Sequence, residues 1–124
     1  MNRRSMVAVL PMLAGIGVPA SAVEPSATVQ REVNFLLDAI EGSGCRFYRN
    51  GTWYSAHEAR LHLRGKYDWL AARDGVAATE QFIDLAATQS SLSGRAYLVQ
   101  CGDGPAVASN EWLRARLEQM RRNP

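Results

Sequence analysis

Residues 46–54 read Arg-Phe-Tyr-Arg-Asn-Gly-Thr-Trp-Tyr, two aromatic runs parted by Asn50-Gly51. A two-residue type I′ turn needs positive φ at both central positions, which Asn and Gly accept, so this segment is expected to fold as a tight hairpin. The pairing sets Phe47 opposite Tyr54 and Tyr48 opposite Trp53, each cross-strand pair adding roughly 0.2–1 kcal/mol over alanines. Ser55-Ala56-His57-Glu58 then has the S-x-x-E form of a capping box, in which the serine hydroxyl accepts a free helix amide and Glu58 accepts the amide of Ser55. Ala59, Leu63, Tyr67 and Leu70 follow at helical spacing as a buried stripe, with His62, Lys66 and Trp69 beside them. Asp74-Gly75 is the stop.

The rest of the chain is read around that unit. Val29, Val33, Leu36, Leu37 and Ile40 fall on one face of a helix starting near Ser26 or Thr28, and Gly42-Ser43-Gly44 ends it. A short helix is expected over residues 79–87, with Phe82, Ile83 and Ala86 inward. A hydroxyl-rich loop, residues 88–94, leads to an expected strand over residues 96–101. Asp103-Gly104 resembles the first turn, Val107 and Ala108 form a return strand, and Ser109 caps a last helix whose inner face is Trp112, Leu113, Leu117 and Met120. Hairpin followed by capped helix therefore occurs twice. The tryptophans 53, 69 and 112 are expected in the core or at its rim. The fold class is α+β: one small domain of about four helices on two short β-hairpins.

Residues 1–22 have the form of an export signal, with Arg3-Arg4, an apolar run and Ala20-Ser21-Ala22. The apolar run is too short for a membrane anchor, so a periplasmic domain of residues 23–124 is expected, with no membrane anchor after cleavage. The full chain has 14 Lys and Arg against 12 Asp and Glu. Loss of Arg3 and Arg4 balances the two, and a neutral chain gives no ground for a nucleic-acid partner. Two cysteines in an exported chain suggest one disulfide, Cys45 to Cys101; the alternative is a reactive or intermolecular thiol.

No catalytic motif or cofactor signature is present. His57, Glu58 and His62 approach the H-E-x-x-H zinc pattern, but histidines five apart diverge by roughly 140° round a helix, and no metal site is expected. Glu58, His62 and Lys66 lie one turn apart, so their side chains can touch along one face, with Arg64 flanking. Ser90, Ser91, Ser93 and Gly94 offer hydroxyls and backbone amides of the kind that cradle anions or sugars. Glu80 and Asp84 are one turn apart on the short helix, where an acid in the first turn already suits the helix dipole.

Arg49-Asn50-Gly51, His62-Leu63-Arg64 with Lys66, the segment Thr79-Glu80-Gln81-Phe82-Ile83-Asp84, and Ser91-Leu92-Ser93-Gly94 with Tyr97 run in an order that resembles the YfeK-like family of small proteobacterial periplasmic proteins, a domain of unknown function. The resemblance implies export and a single small domain, and it supplies no activity. Its pattern includes Arg49, His62, Lys66, Glu80 and the serine-glycine loop, whereas the cysteines lie outside it.

The expected function is non-enzymatic binding of an envelope component, an anion, a glycan or another protein, by a monomer or homodimer. Its expected site residues are Arg49, His62, Arg64, Lys66, Glu80, Ser90, Ser91, Ser93, Gly94 and Tyr97. The alternative is a small envelope hydrolase pairing His62 with Glu80 or a loop serine, which requires those groups to meet within about 3 Å, directly or through one water.

Overall fold

The Asn50-Gly51 turn forms as its chemistry requires, with φ of 51° and 89°. It joins β1 (Arg46–Arg49) to β2 (Thr52–Tyr54) in the expected register, Phe47 facing Tyr54 and Tyr48 facing Trp53. The computed structural model describes residues 24–124, and the expected export signal, residues 1–22, lies outside the described residues. Around the hairpin the chain runs α1 (Ala27–Glu41), β1, β2, α2 (Ala56–Ala71), α3 (Thr79–Ala86), β3 (Leu98–Gln100), β4 (Val107–Ala108) and α4 (Ser109–Arg122).

Local chemistry sets the helix ends. Ser26 accepts the Val29 amide at the start of α1. At α2 both halves of the capping box are made, Ser55 Oγ accepting from the Glu58 amide at 3.1 Å and Glu58 from the Ser55 amide at 3.0 Å. Past α2 the chain reverses at Asp74, whose φ is 57°. The apolar stripes of all four helices face one another: Val33, Leu36, Leu37, Ile40, Leu63, Phe82, Ile83, Leu113 and Leu117 are buried, with Tyr67 set edge-on to Phe82 at 5.7 Å.

The two hairpins merge into one antiparallel sheet of order β2-β1-β3-β4. The first strands of the two units, β1 and β3, lie side by side at its centre with Phe47 opposite Val99. Both of these residues are buried on the helix side, and Trp112 of α4 meets Phe47 edge-on at 6.1 Å. The same register pairs Arg46 with Gln100, so Cys45 and Cys101 fall opposite each other one step further on. They are disulfide-bonded, with Cα atoms 4.3 Å apart, near the separation of a non-hydrogen-bonded antiparallel pair.

The second unit departs from expectation at three points. Its strand is shorter: pairing with β1 stops at Tyr48–Leu98, and before that point Ala96 bridges to Gln89 while the Tyr97 amide donates to the Thr88 carbonyl. The positive φ of its turn falls on Gly102, at 59°, rather than on Asp103-Gly104, and the Gly104 amide donates to the Cys101 carbonyl. Ser109 is not the cap of α4: Ala108, still paired with Leu98, takes that position, while the Ser109 amide donates to the Tyr97 carbonyl. Of the tryptophans, Trp112 is buried and Trp53 half-buried, but Trp69 is 58% exposed. Among the described residues no helix is long and apolar enough to cross a membrane.

Candidate functional site

Tyr97 leaves the sheet just where β1 turns away, and its side chain comes to rest against α2. There its hydroxyl lies 3.2 Å from His62 Nε2 and accepts a hydrogen bond from Lys66 Nζ, also at 3.2 Å. His62 and Lys66 are one turn apart, so one hydroxyl can meet both. The Lys66 ammonium donates as well to the Gln89 carbonyl at 3.4 Å. With Lys66 as donor, the tyrosine hydroxyl keeps one proton and one lone pair, so it can bond a neutral imidazole in either tautomer at Nε2.

Charge and burial agree with that wiring. Desolvation, reinforced by the Arg49 and Lys66 charges, pulls the His62 pKa down from 6.5 to about 4. Burial and then Arg49 lower Lys66, while burial raises the Tyr97 phenol against the pull of Arg49. The Arg49 guanidinium lies over the Tyr54 ring at 4.6 Å. Among the described residues neither Arg49 nor Lys66 forms an ion pair. Arg49, His62 and Tyr97 edge a crevice of about 30 Å³ between sheet and α2, room for a water or two, whose walls include Tyr54, Glu58, Leu63 and Ser109; Lys66 lies outside it.

The serine loop adjoins this cluster through the first hairpin turn. Asn50 donates to Ser90 Oγ at 3.1 Å and accepts from the Ser93 hydroxyl. Ser90 is buried, and its Oγ also accepts the Leu92 and Ser93 amides at 3.2 and 3.3 Å, which fixes the loop shape. Gly94, at φ 75°, lets the chain return toward Tyr97. Ser91 has no hydrogen-bond partner among the described residues and lies on the surface beside Lys66.

Two of the expected site residues lie elsewhere. Arg64 turns to α1 and donates to Asn34 Oδ1 at 2.7 Å, because residues 64 and 66 point to different sides of α2. Glu80 binds Arg121 at 2.7 Å, and Arg121 also holds the buried Glu32, whose carboxylate accepts the Thr79 hydroxyl at 2.6 Å. The hydrogen bonds to Arg121 lower the pKa of both acids. The hydrogen-bond partner of His62 is therefore Tyr97 rather than Glu80 or a loop serine. Tyr67 is buried, as its place in the apolar stripe of α2 predicts. Asn50 is the residue that sequence reasoning assigned to the turn alone; its second task, holding the loop, depends on a contact 40 positions away and has no local signal.

A model of a family of unknown function, DUF5329, matches residues 27–121. The chain belongs to this family. The match spans the DUF5329 domain from the start of α1 to nearly the end of α4, and so contains the whole cluster. The uncharacterized protein YfeK of Salmonella typhimurium (strain LT2) is 34% identical over 73 residues, which cover 58% of this chain and 59% of that relative. The YfeK-like resemblance is thus borne out. No solved structure matches this DUF5329 chain.

The His62 environment has a pH consequence. Its folded-state pKa lies below that of the unfolded chain, so protons favour unfolding: this group leaves stability untouched above pH 6.5, lowers it as pH falls from 6.5 to about 4, and adds no further loss below. Replacing His62 with Gln is expected to flatten the stability profile across that window. Urea unfolding from neutral to acid pH measures this, and an unchanged slope would show that His62 titrates normally.

Proposed function

We propose that this protein is an exported, non-enzymatic binding module, with a site for an anionic envelope ligand built from Arg49, His62, Lys66, Tyr97 and the Ser90–Gly94 loop. The observation that carries the reading is the pair of cations, Arg49 and Lys66, set about a buried tyrosine, neither of them ion-paired among the described residues. Like charges beside a partly desolvated site raise each other's energy, and a phosphate, a carboxylate or the acid group of a sugar docking at the surface between them offsets that penalty. Neutral His62 has one ring N–H to donate, and Ser91 brings a hydroxyl and an amide without a partner among the described residues. A cleavable signal over residues 1–22, a mature domain of residues 23–124 and a periplasmic location belong to the same reading, which the Cys45–Cys101 bridge supports because such bonds persist in oxidising compartments.

The test is a titration of the oxidised protein with inorganic phosphate, muropeptides and neutral sugars, followed by calorimetry and by the His62 imidazole resonance. Anions are expected to bind, to raise the His62 midpoint by adding negative charge beside it, and to lose about tenfold or more in affinity in Lys66→Ala, the range for one charged hydrogen bond. Anion binding that ignores both Lys66→Ala and Arg49→Ala would remove the site assignment. Preference for neutral sugars would remove the electrostatic account.

A further inference from the structure

Beside the cation cluster, on the other flank of Lys66, an apolar groove of about 270 Å³ runs between α2, α3 and the serine loop. It is lined by Lys66, Trp69, Leu70, Leu85 and Ser91. Trp69 and Leu85 stand 58% and 53% exposed along it. Large apolar side chains gathered around one cleft of a small domain are unusual unless something covers them. Its lining is of two kinds: Lys66 and Ser91 bring polar groups, and the indole and two leucines bring apolar surface.

We propose that this groove takes the chain of a single-chain anionic amphiphile, an alkyl carboxylate or alkyl phosphate, whose head is held at Lys66. The inference rests on the anion-binding reading and names the ligand class for the same site. Charge complementarity selects this occupant. The Lys66 ammonium has no ion-pair partner among the described residues and keeps donor capacity beyond its bonds to Tyr97 and Gln89. A neutral apolar ligand would leave that cation uncompensated, and a small inorganic anion would leave the groove bare. The volume falls just below the roughly 300–1,000 Å³ of sites for drug-sized molecules, which suits a chain of medium length.

The experiment titrates the oxidised protein with acetate, hexanoate, octanoate and decanoate, all below micelle formation, beside inorganic phosphate and decanol. Affinity is expected to climb about twofold to fourfold per added methylene, the value for burying such a group wholly or in part. That climb is expected to vanish in Leu85→Asn, and decanoate binding to weaken about tenfold in Lys66→Gln. Leu61→Asn, at an exposed leucine outside the groove, is the unaffected control. Equal affinity for acetate and decanoate, or decanol binding as tightly as decanoate, overturns the inference. So does Lys66-dependent phosphate binding with no gain from chain length, an outcome that leaves the anion site standing. Failure of every anion to bind removes both readings. A concentration-dependent dimer in sedimentation that Trp69→Ala and Leu85→Asn both dissociate would assign the groove to self-association and overturn the amphiphile.

Discussion

Replacing Cys45 and Cys101 together by alanine is expected to cost about 4 kcal/mol of folding stability and to lower Tm by roughly 15–25 °C. The bond joins residues 56 apart in sequence, and the chain-entropy argument gives this magnitude for closing such a loop in the unfolded chain. The native side of the balance is favourable, because the cysteines extend the β1–β3 register by one pair and the backbone already brings their Cα atoms to 4.3 Å. Without the bond, the centre of the sheet depends on three residue pairs between those strands and on Phe47 and Val99 beneath them. Denaturant unfolding of the oxidised protein and of the double variant measures the loss. A difference under about 1 kcal/mol would mean that the unfolded chain already keeps these strands together.

Phe82→Ala should cost about 3–5 kcal/mol. Phe82 is fully buried and is the largest side chain so enclosed, lying on α3 where it meets the edge of Tyr67 on α2. Its removal leaves a cavity that the helices cannot close without moving α2 relative to α3. Lys66 and Trp69 sit on that helix and Leu85 on the other, so the same change should loosen the groove and weaken anion binding beyond its effect on stability. Phe82→Leu, which keeps most of the volume, is expected to lose much less of both. Equal losses for Ala and Leu would show that ring shape rather than volume holds the two helices in place.

What the sequence could reveal is whatever a few adjacent residues decide. Asn50-Gly51 accepts positive φ without help, Ser55 and Glu58 cap each other across one turn, and residues 29, 33, 36, 37 and 40 share a helix face by periodicity. Cys45 and Cys101 could be paired by arithmetic because the chain has only two cysteines. Grouping His62 with Lys66 followed from the same helical spacing. Splitting Arg64 and Glu80 from them did not, because each found a partner on an element distant in sequence, Asn34 on α1 and Arg121 on α4.

The second turn shows the limit of local chemistry. Asp103-Gly104 looks like Asn50-Gly51, yet the β3–β4 register leaves a longer connection and the positive φ passes to Gly102. Tertiary structure alone decided that two hairpins share one sheet, that Tyr97 steps out of it where β1 ends, and that its hydroxyl lands between His62 and Lys66. The reason is physical. Turns and caps are fixed by interactions over two to four residues, whereas the meeting of residues 62, 66 and 97 is fixed by strand register and helix packing, which depend on the whole core at once.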